Sequence, residues 1–157
     1  MLNHDPSGMQ HQYRNALLAQ ARTKHYSHWV TLNTHRDCTL DTAVRYLNRW
    51  RVEVLRRLHG QKFYRLPAGE VTQYFGCPEL SLAGHPHFHL ACFVPEAVAG
   101  KFERIAADRW KAIVPSGTQH IRRIGPSTQD QENVLTYATK RLNPNATVPF
   151  VDSRLYH

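Results

Sequence analysis

Two histidines separated by one residue lie near the middle of the chain, in a run of strand-forming residues that ends at Val94. Alternate residues of a β-strand point to the same face, so His87 and His89 project together while Phe88 faces the core. Glu79 lies on the preceding strand, across a glycine-containing loop, and offers a carboxylate oxygen. Two imidazole nitrogens and one oxygen leave coordination positions of a divalent metal open for water or a phosphate oxygen. These residues therefore predict a catalytic type of metal site.

The setting of the histidine pair matters more than the pair itself. Eleven histidines among 157 residues give about 0.8 His-x-His pairs by chance. An exposed histidine-rich loop is therefore the alternative for the pair alone. His85 has the same parity as His87 and His89, but Pro86 begins the predicted strand. We expect His85 in the loop, as a residue that supports the ligands or contacts the substrate.

A second candidate group consists of Tyr137 and Lys140, which are neighbours on one face of a predicted helix. A phenol has a pKa of about 10 and is a poor nucleophile at neutral pH. An adjacent ammonium and a metal-bound phosphate would favour the phenolate and neutralise charge in the transition state. Attack on phosphorus would leave a phosphotyrosine and release a sugar hydroxyl. The alternative is a core-facing tyrosine beside a solvated lysine.

The overall charge favours a polyanionic partner. Lys and Arg total 20 against 12 Asp and Glu, which gives a net charge of +8 and favours nucleic acid ahead of a membrane. No apolar run approaches the roughly 20 residues of a membrane span, and the N-terminus lacks the profile of a signal peptide. The three cysteines form no CxxC pair, so we expect a reducing compartment, the cytoplasm of the host.

The pattern of strands and helices predicts an α+β fold. The length suits one domain over residues 1–157, with loosely ordered tails at 1–9 and 143–157. The predicted strands cover 26–33, about 70–78, 87–94 and 118–124, and the predicted helices cover 10–22, about 40–59, a segment from Pro95 to Pro115, and Thr128 to Leu142. The order β-α-β-β-α-β predicts an antiparallel sheet with a ferredoxin-like core and helices packed on it.

Sequence signals also predict how two of these helices begin. Asp37 or Thr39 can cap the helix over 40–59. Thr128 and Gln131 have the spacing of a capping box for the last helix. No phosphate-binding loop of the GxxxxGK[ST] type is present, so the sequence shows no attached ATPase.

Taken together, these segments resemble the HUH endonucleases, and among them the single-tyrosine Rep-type initiators of rolling-circle replication. The run Trp29–Asn33 is similar to their first-strand motif. The run His87–His89 is similar to their His-hydrophobic-His metal motif, and Glu79 lies where their third ligand often falls. The run Tyr137–Lys140 matches their Tyr-x-x-Lys helix. The resemblance spans about residues 26–142.

The resemblance implies a specific activity on DNA. It implies a sequence- or hairpin-specific nick in single-stranded DNA, a covalent 5′-phosphotyrosine at Tyr137, a free 3′ hydroxyl and Mg²⁺ or Mn²⁺ as cofactor. The replicated element would be a plasmid, a phage or a mobile element, with host helicase or polymerase machinery as partner. Position 141 is arginine, which argues against the two-tyrosine subtype. Candidate DNA-contacting residues are Arg122, Arg123, Arg141 and His85.

Three other functions remain open from the sequence. A single-strand DNA transposase of the insertion-sequence type is similar in size and also uses one tyrosine. A non-catalytic nucleic-acid-binding module could stack bases on Trp29, Tyr74 and Phe75. A zinc-dependent hydrolase would use the same ligands around an activated water and would not need Tyr137.

Overall fold

A computed structural model describes residues 6–140 and 151–152 of the chain. Its strands are β1 His28–Asn33, β2 Gln73–Leu80, β3 Pro86–Phe93, β4 Thr118–Arg123 and β5 Val151–Asp152. Its helices are α1 Pro6–Ala21, α2 Leu40–His59, α3 Glu96–Ile113 and α4 Thr128–Thr139, with short 3-10 turns at Phe63–Arg65 and Ala68–Glu70. No helix in this part of the chain combines the length and apolar character that crossing a membrane requires.

The strands form one sheet in the order β4-β1-β3-β2-β5, and every neighbouring pair is antiparallel. The first four strands have the ferredoxin-like order, because the β1-α2-β2 and β3-α3-β4 units interleave. This confirms the predicted α+β class and the antiparallel sheet. The pair Val151–Asp152 adds a short edge strand in a segment for which the sequence predicted only a tail.

Helices α2 and α3 cover one face of the sheet. Thr39 caps α2 by accepting a hydrogen bond from the Thr42 amide, and Gly60 ends the helix at a positive φ of 85° that favours glycine. The largest buried side chains of this layer include Trp50, Trp110, Phe88 and Phe102. The Trp50 indole donates to the Ala106 carbonyl at 2.8 Å. The Trp110 indole donates to the Asn33 carbonyl at 3.0 Å, so both buried N–H groups are satisfied.

Helix α4 covers part of the opposite face, with α1 packed beside it. A smaller core joins them to the sheet, consisting of Leu18, Ala21, Tyr26, Trp29, Phe75, Ala91, Val134, Leu135 and Ala138. Gly76 lies in β2 against the backbone carbonyl of His89, where an added Cβ would collide. The close approach of β2 to β3 beside His89 therefore requires glycine.

The N-terminus of α4 differs from the predicted capping box. Ser127, one residue earlier than predicted, caps the helix by accepting from the Asp130 amide at 3.0 Å. Gln131 instead joins α4 to the residues before β1. Its side-chain oxygen accepts from the Tyr26 amide and its side-chain nitrogen donates to the Tyr26 carbonyl, both at 2.8 Å. The sequence could not distinguish these roles, because the second one depends on a contact distant in the chain.

Several element boundaries also differ from the prediction. Helix α1 begins at Pro6, four residues before the predicted start at residue 10, and strand β1 begins at His28 rather than at residue 26. Strand β2 covers Gln73–Leu80 rather than about 70–78, and Glu79 lies on this strand, as expected. The predicted extension of the last helix to Leu142 falls outside the described residues after Lys140.

Candidate metal and tyrosine site

Glu79, His87 and His89 converge at one end of the sheet. Glu79 on β2 is directly opposite His87 on β3, and the pleat directs their side chains, with that of His89, to the α4 face. Glu79 Oε2 lies 3.1 Å from His87 Nε2 and 3.7 Å from His89 Nε2. Each residue offers a ligand atom within 4.8 Å of the other two. These three residues can therefore hold a divalent metal ion.

His89 has the orientation and the charge state that a metal ligand needs. Its Nδ1 lies 3.2 Å from the Thr31 hydroxyl on β1, which leaves Nε2 directed at Glu79. Burial lowers the pKa of His89 to about 4. The carboxylate of Glu79 opposes this shift, whereas the charges of His87 and Lys140 add to it. His89 is therefore neutral at physiological pH, and the neutral imidazole is the form that binds metals.

The donor set and its surroundings fit a divalent cation. The side chains of His87, His89 and Glu79 are only 10–14% exposed, so an ion among them would be held close to the protein. Two nitrogens and one oxygen from the chain leave positions for exogenous ligands. Thr31 orients His89 from the neighbouring strand β1, although the pair His87 and His89 does not by itself indicate this partner.

Tyr137 lies on α4 next to this cluster. Its ring centroid is 5.0 Å from that of His89 and 5.4 Å from that of Trp29, edge to face in both cases. Trp29 in turn stacks parallel to His89 at 5.6 Å. Tyr137 is nevertheless 44% exposed, which differs from the alternative of a core-facing tyrosine. Aromatic contacts therefore fix the ring while leaving it accessible to a substrate.

Lys140 connects the tyrosine with the ligand cluster. Its Nζ lies 3.7 Å from the Tyr137 ring centroid, in a cation–π contact, and 3.6 Å from Glu79 Oε1. The Lys140 side chain is about one-third exposed. Lys140 can therefore neutralise negative charge that develops between the phenol and the carboxylate.

A cavity of about 410 Å³ opens beside Tyr137 and His89. Its walls come from β1, β3, β4 and α4, and consist of Trp29, Thr31, His89, Arg122, Asn133, Val134 and Tyr137. Thr31 and Asn133 were not predicted as site residues from the sequence. Asn133 carried a usable signal, because it lies one helical turn before Tyr137 and therefore on the same face.

The other candidate residues lie in different places. Arg122 lines the cavity, whereas Arg123 points to the opposite face of the sheet and lies 3.5 Å from Glu103 of α3. His85 lies in the β2–β3 turn, with its ring 3.3 Å from Asp37, and is not part of the ligand cluster. Arg141 falls outside the described residues. The structure thus brings Arg122 to the site, and separates Arg123 from it.

Comparisons with known proteins give a family and a fold. Residues 27–142 match the family model of the replication-associated protein ORF2. No curated protein matches the chain. The crystal structure of the hypothetical protein ORF119 from Sulfolobus islandicus rod-shaped virus 1 is similar, with a TM-score of 0.51 and 18% identity. The similarity covers 80% of this chain and 90% of the viral one, and at this identity it shows a shared fold.

Proposed function

Because the chain belongs to the replication-associated protein ORF2 family, we propose that it initiates replication by nicking and rejoining single-stranded DNA, as single-tyrosine HUH endonucleases of the Rep type do. The observation that carries this proposal is the position of Tyr137. Its accessible phenol lies against the proposed metal ligand His89, and Lys140 contacts both its ring and Glu79.

In the proposed reaction, the Tyr137 phenol oxygen attacks the phosphorus of one phosphodiester. A bond forms between that oxygen and phosphorus while the bond from phosphorus to the 3′ oxygen breaks. The phenol proton passes to solvent, and the released 3′ oxygen takes up a proton to become a free hydroxyl. The product is a 5′-phosphotyrosine, whose bond energy allows a later hydroxyl to reverse the step.

The chain's own residues have distinct roles in this step. Trp29 and His89 hold the Tyr137 ring in place by edge contacts. The Lys140 ammonium, which lies against the Tyr137 ring, offsets negative charge that develops on the phosphate as the new bond forms. Glu79, His87 and His89 would hold Mg²⁺ or Mn²⁺, which supplies Lewis-acid polarisation of a phosphate oxygen when bound. Two imidazoles among the three ligands favour Mn²⁺ of this pair.

The proposed partners follow from the same chemistry. The net charge of +8 favours binding of a DNA strand, and a hairpin at an origin would present such a strand. Unwinding and extension would come from a host helicase and polymerase in the cytoplasm of a bacterial host. The free 3′ hydroxyl is the group that a polymerase would extend.

The experiment is covalent capture on DNA. The protein is incubated with labelled single-stranded origin-like DNA and Mn²⁺, and adducts are resolved on a denaturing gel. We expect an adduct with the wild type and none with Tyr137→Phe. Tyr64→Phe, at a tyrosine that is 59% exposed away from the site, should retain the adduct. His87→Ala should lose metal-dependent cleavage.

Two outcomes would reject the proposal. Cleavage that survives Tyr137→Phe without an adduct would indicate hydrolysis by an activated water. Binding of the DNA by the wild type with no cleavage in Mn²⁺ or Mg²⁺ would indicate a non-catalytic nucleic-acid-binding protein.

A further inference from the structure

The cavity beside Tyr137 contains an arginine that the proposed chemistry does not use. Arg122 lies directly opposite Trp29 in the β1–β4 register, so both side chains project to the α4 face. Arg122 lines the cavity, and no ion pair or hydrogen bond involves its guanidinium within residues 6–140. The next residue, Arg123, has a carboxylate partner in Glu103. Among the described residues, Arg122 is therefore available to bind a ligand in the cavity.

A second hydrogen-bond donor faces the same space from α4. Asn133 lines the cavity, and its Oδ1 accepts a hydrogen bond from the Gln129 side chain at 2.7 Å. The remaining group of the amide is therefore the Nδ2 donor. Trp29 and Tyr137 add aromatic walls, and the Tyr137 ring, which is 44% exposed, offers a surface on which a base can stack. The cavity thus combines two donors, two aromatic rings and a volume in the range of small-ligand pockets.

We propose that this cavity is a base-recognition pocket that takes a guanine of the DNA strand, next to the phosphate that Tyr137 attacks. Guanine presents two acceptors, O6 and N7, on one edge, whereas adenine presents one acceptor and one donor there. Cytosine presents a donor, and thymine a single acceptor beside a methyl group. Two donors that face this edge match guanine alone, because the acceptor pairs of cytosine and thymine lie on their Watson–Crick edges. This inference rests on the proposed nicking function for its biological meaning, and its test is independent of cleavage.

The test measures binding of four fluorescein-labelled trinucleotides, d(TGT), d(TAT), d(TCT) and d(TTT), by fluorescence anisotropy in EDTA. We expect the wild type to bind d(TGT) at least about tenfold more tightly than the other three. Replacing the guanine by 7-deazaguanine, which lacks the N7 acceptor, should remove most of that preference. The absence of divalent metal keeps cleavage out of the measurement.

Neighbouring arginines provide a matched pair of variants. Arg122→Gln should abolish the preference for d(TGT). Arg123→Gln removes one positive charge from the opposite face of the sheet and should retain that preference. Thermal unfolding monitored by circular dichroism checks that both variants fold. Should Arg122→Gln fail to fold, the 7-deazaguanine comparison on the wild type still decides.

The inference is overturned if the wild type binds all four trinucleotides equally, or if both arginine variants lose the preference to the same degree. Its failure is distinguishable from failure of the proposed function. A preference for guanine in EDTA without any covalent adduct in Mn²⁺ would retain the pocket and reject nicking. A covalent adduct in Mn²⁺ without a base preference in EDTA would retain nicking and reject the pocket.

Discussion

The two faces of the sheet differ in how much apolar surface they bury and in whether they carry the candidate site. Among the described residues, the face under α2 and α3 buries a cluster of nineteen apolar side chains, and the face under α4 and α1 buries nine. Along β3, Phe88 and Leu90 point to the larger core, whereas His87 and His89 point to the smaller one. The pleat of a single strand thus separates residues that stabilise the fold from residues that can hold a metal. The candidate chemistry lies on the face that contributes less apolar burial.

The largest effect that tests this division is on stability. Trp110→Ala removes a fully buried indole and leaves the Asn33 carbonyl without its donor, so we expect the free energy of unfolding to fall by about 3–5 kcal/mol. Tyr137→Phe, at a half-exposed ring on the other face, should change it by less than about 0.5 kcal/mol. Urea denaturation measures both. A similar loss in the free energy of unfolding for both variants would contradict this difference between the two faces.

A smaller effect concerns metal affinity on the α4 face. Thr31→Val keeps the shape of the side chain and removes the hydrogen bond to His89 Nδ1, so we expect Mn²⁺ affinity to fall about 10- to 100-fold. Thr118→Val, on the same face but bonded to His35, serves as the control. Calorimetric titration with Mn²⁺ gives both affinities. Equal losses in the two variants would show that the Thr31 hydroxyl does not orient His89.

The smallest expected effect is on pH dependence without metal. The pKa of His89 is about 4 in the folded chain, below the ordinary value of 6.5, so the unfolded state binds the extra proton first as pH falls. Stability should therefore be unaffected above pH 6.5 and should decrease below it, by about 1 kcal/mol at pH 5.5 for this residue.

The control for that measurement is a second histidine on the same face. His89→Asn should reduce the loss of stability between about pH 7 and pH 5.5, measured by urea denaturation in EDTA. His120→Asn, at an exposed residue of β4, should leave that loss as in the wild type. An unchanged loss in His89→Asn would contradict the assigned burial effect.

Local periodicity explains what could be predicted from the sequence. The alternation of His87, Phe88 and His89 depends only on the strand repeat, and the proximity of Tyr137 to Lys140 only on the helix repeat. The order of strands and helices was enough to predict the α+β fold. These features can be predicted without knowing which strands and helices are neighbours in the fold.

Features that depend on contacts between distant segments could not be predicted from the sequence. The faces of Arg122 and Arg123 depend on the pairing of β4 with β1. The hydrogen bond between Thr31 and His89 joins residues 58 positions apart, and no local pattern indicates it. The spacing of Gln131 from Thr128 predicted a capping box. Its actual bonds to Tyr26 span 105 positions, and no local pattern indicates them.

Those two bonds from Gln131 have a consequence for how the chain tolerates change. They fix α4, and with it the phenol, to the main chain just ahead of β1, and the same side chain also donates to the Gly125 carbonyl at 3.2 Å in the short connection that precedes α4. Extra residues inserted at Gly125 should therefore displace α4 and the phenol relative to the proposed ligands. The length of this connection is thus part of what aligns Tyr137 with Glu79, His87 and His89.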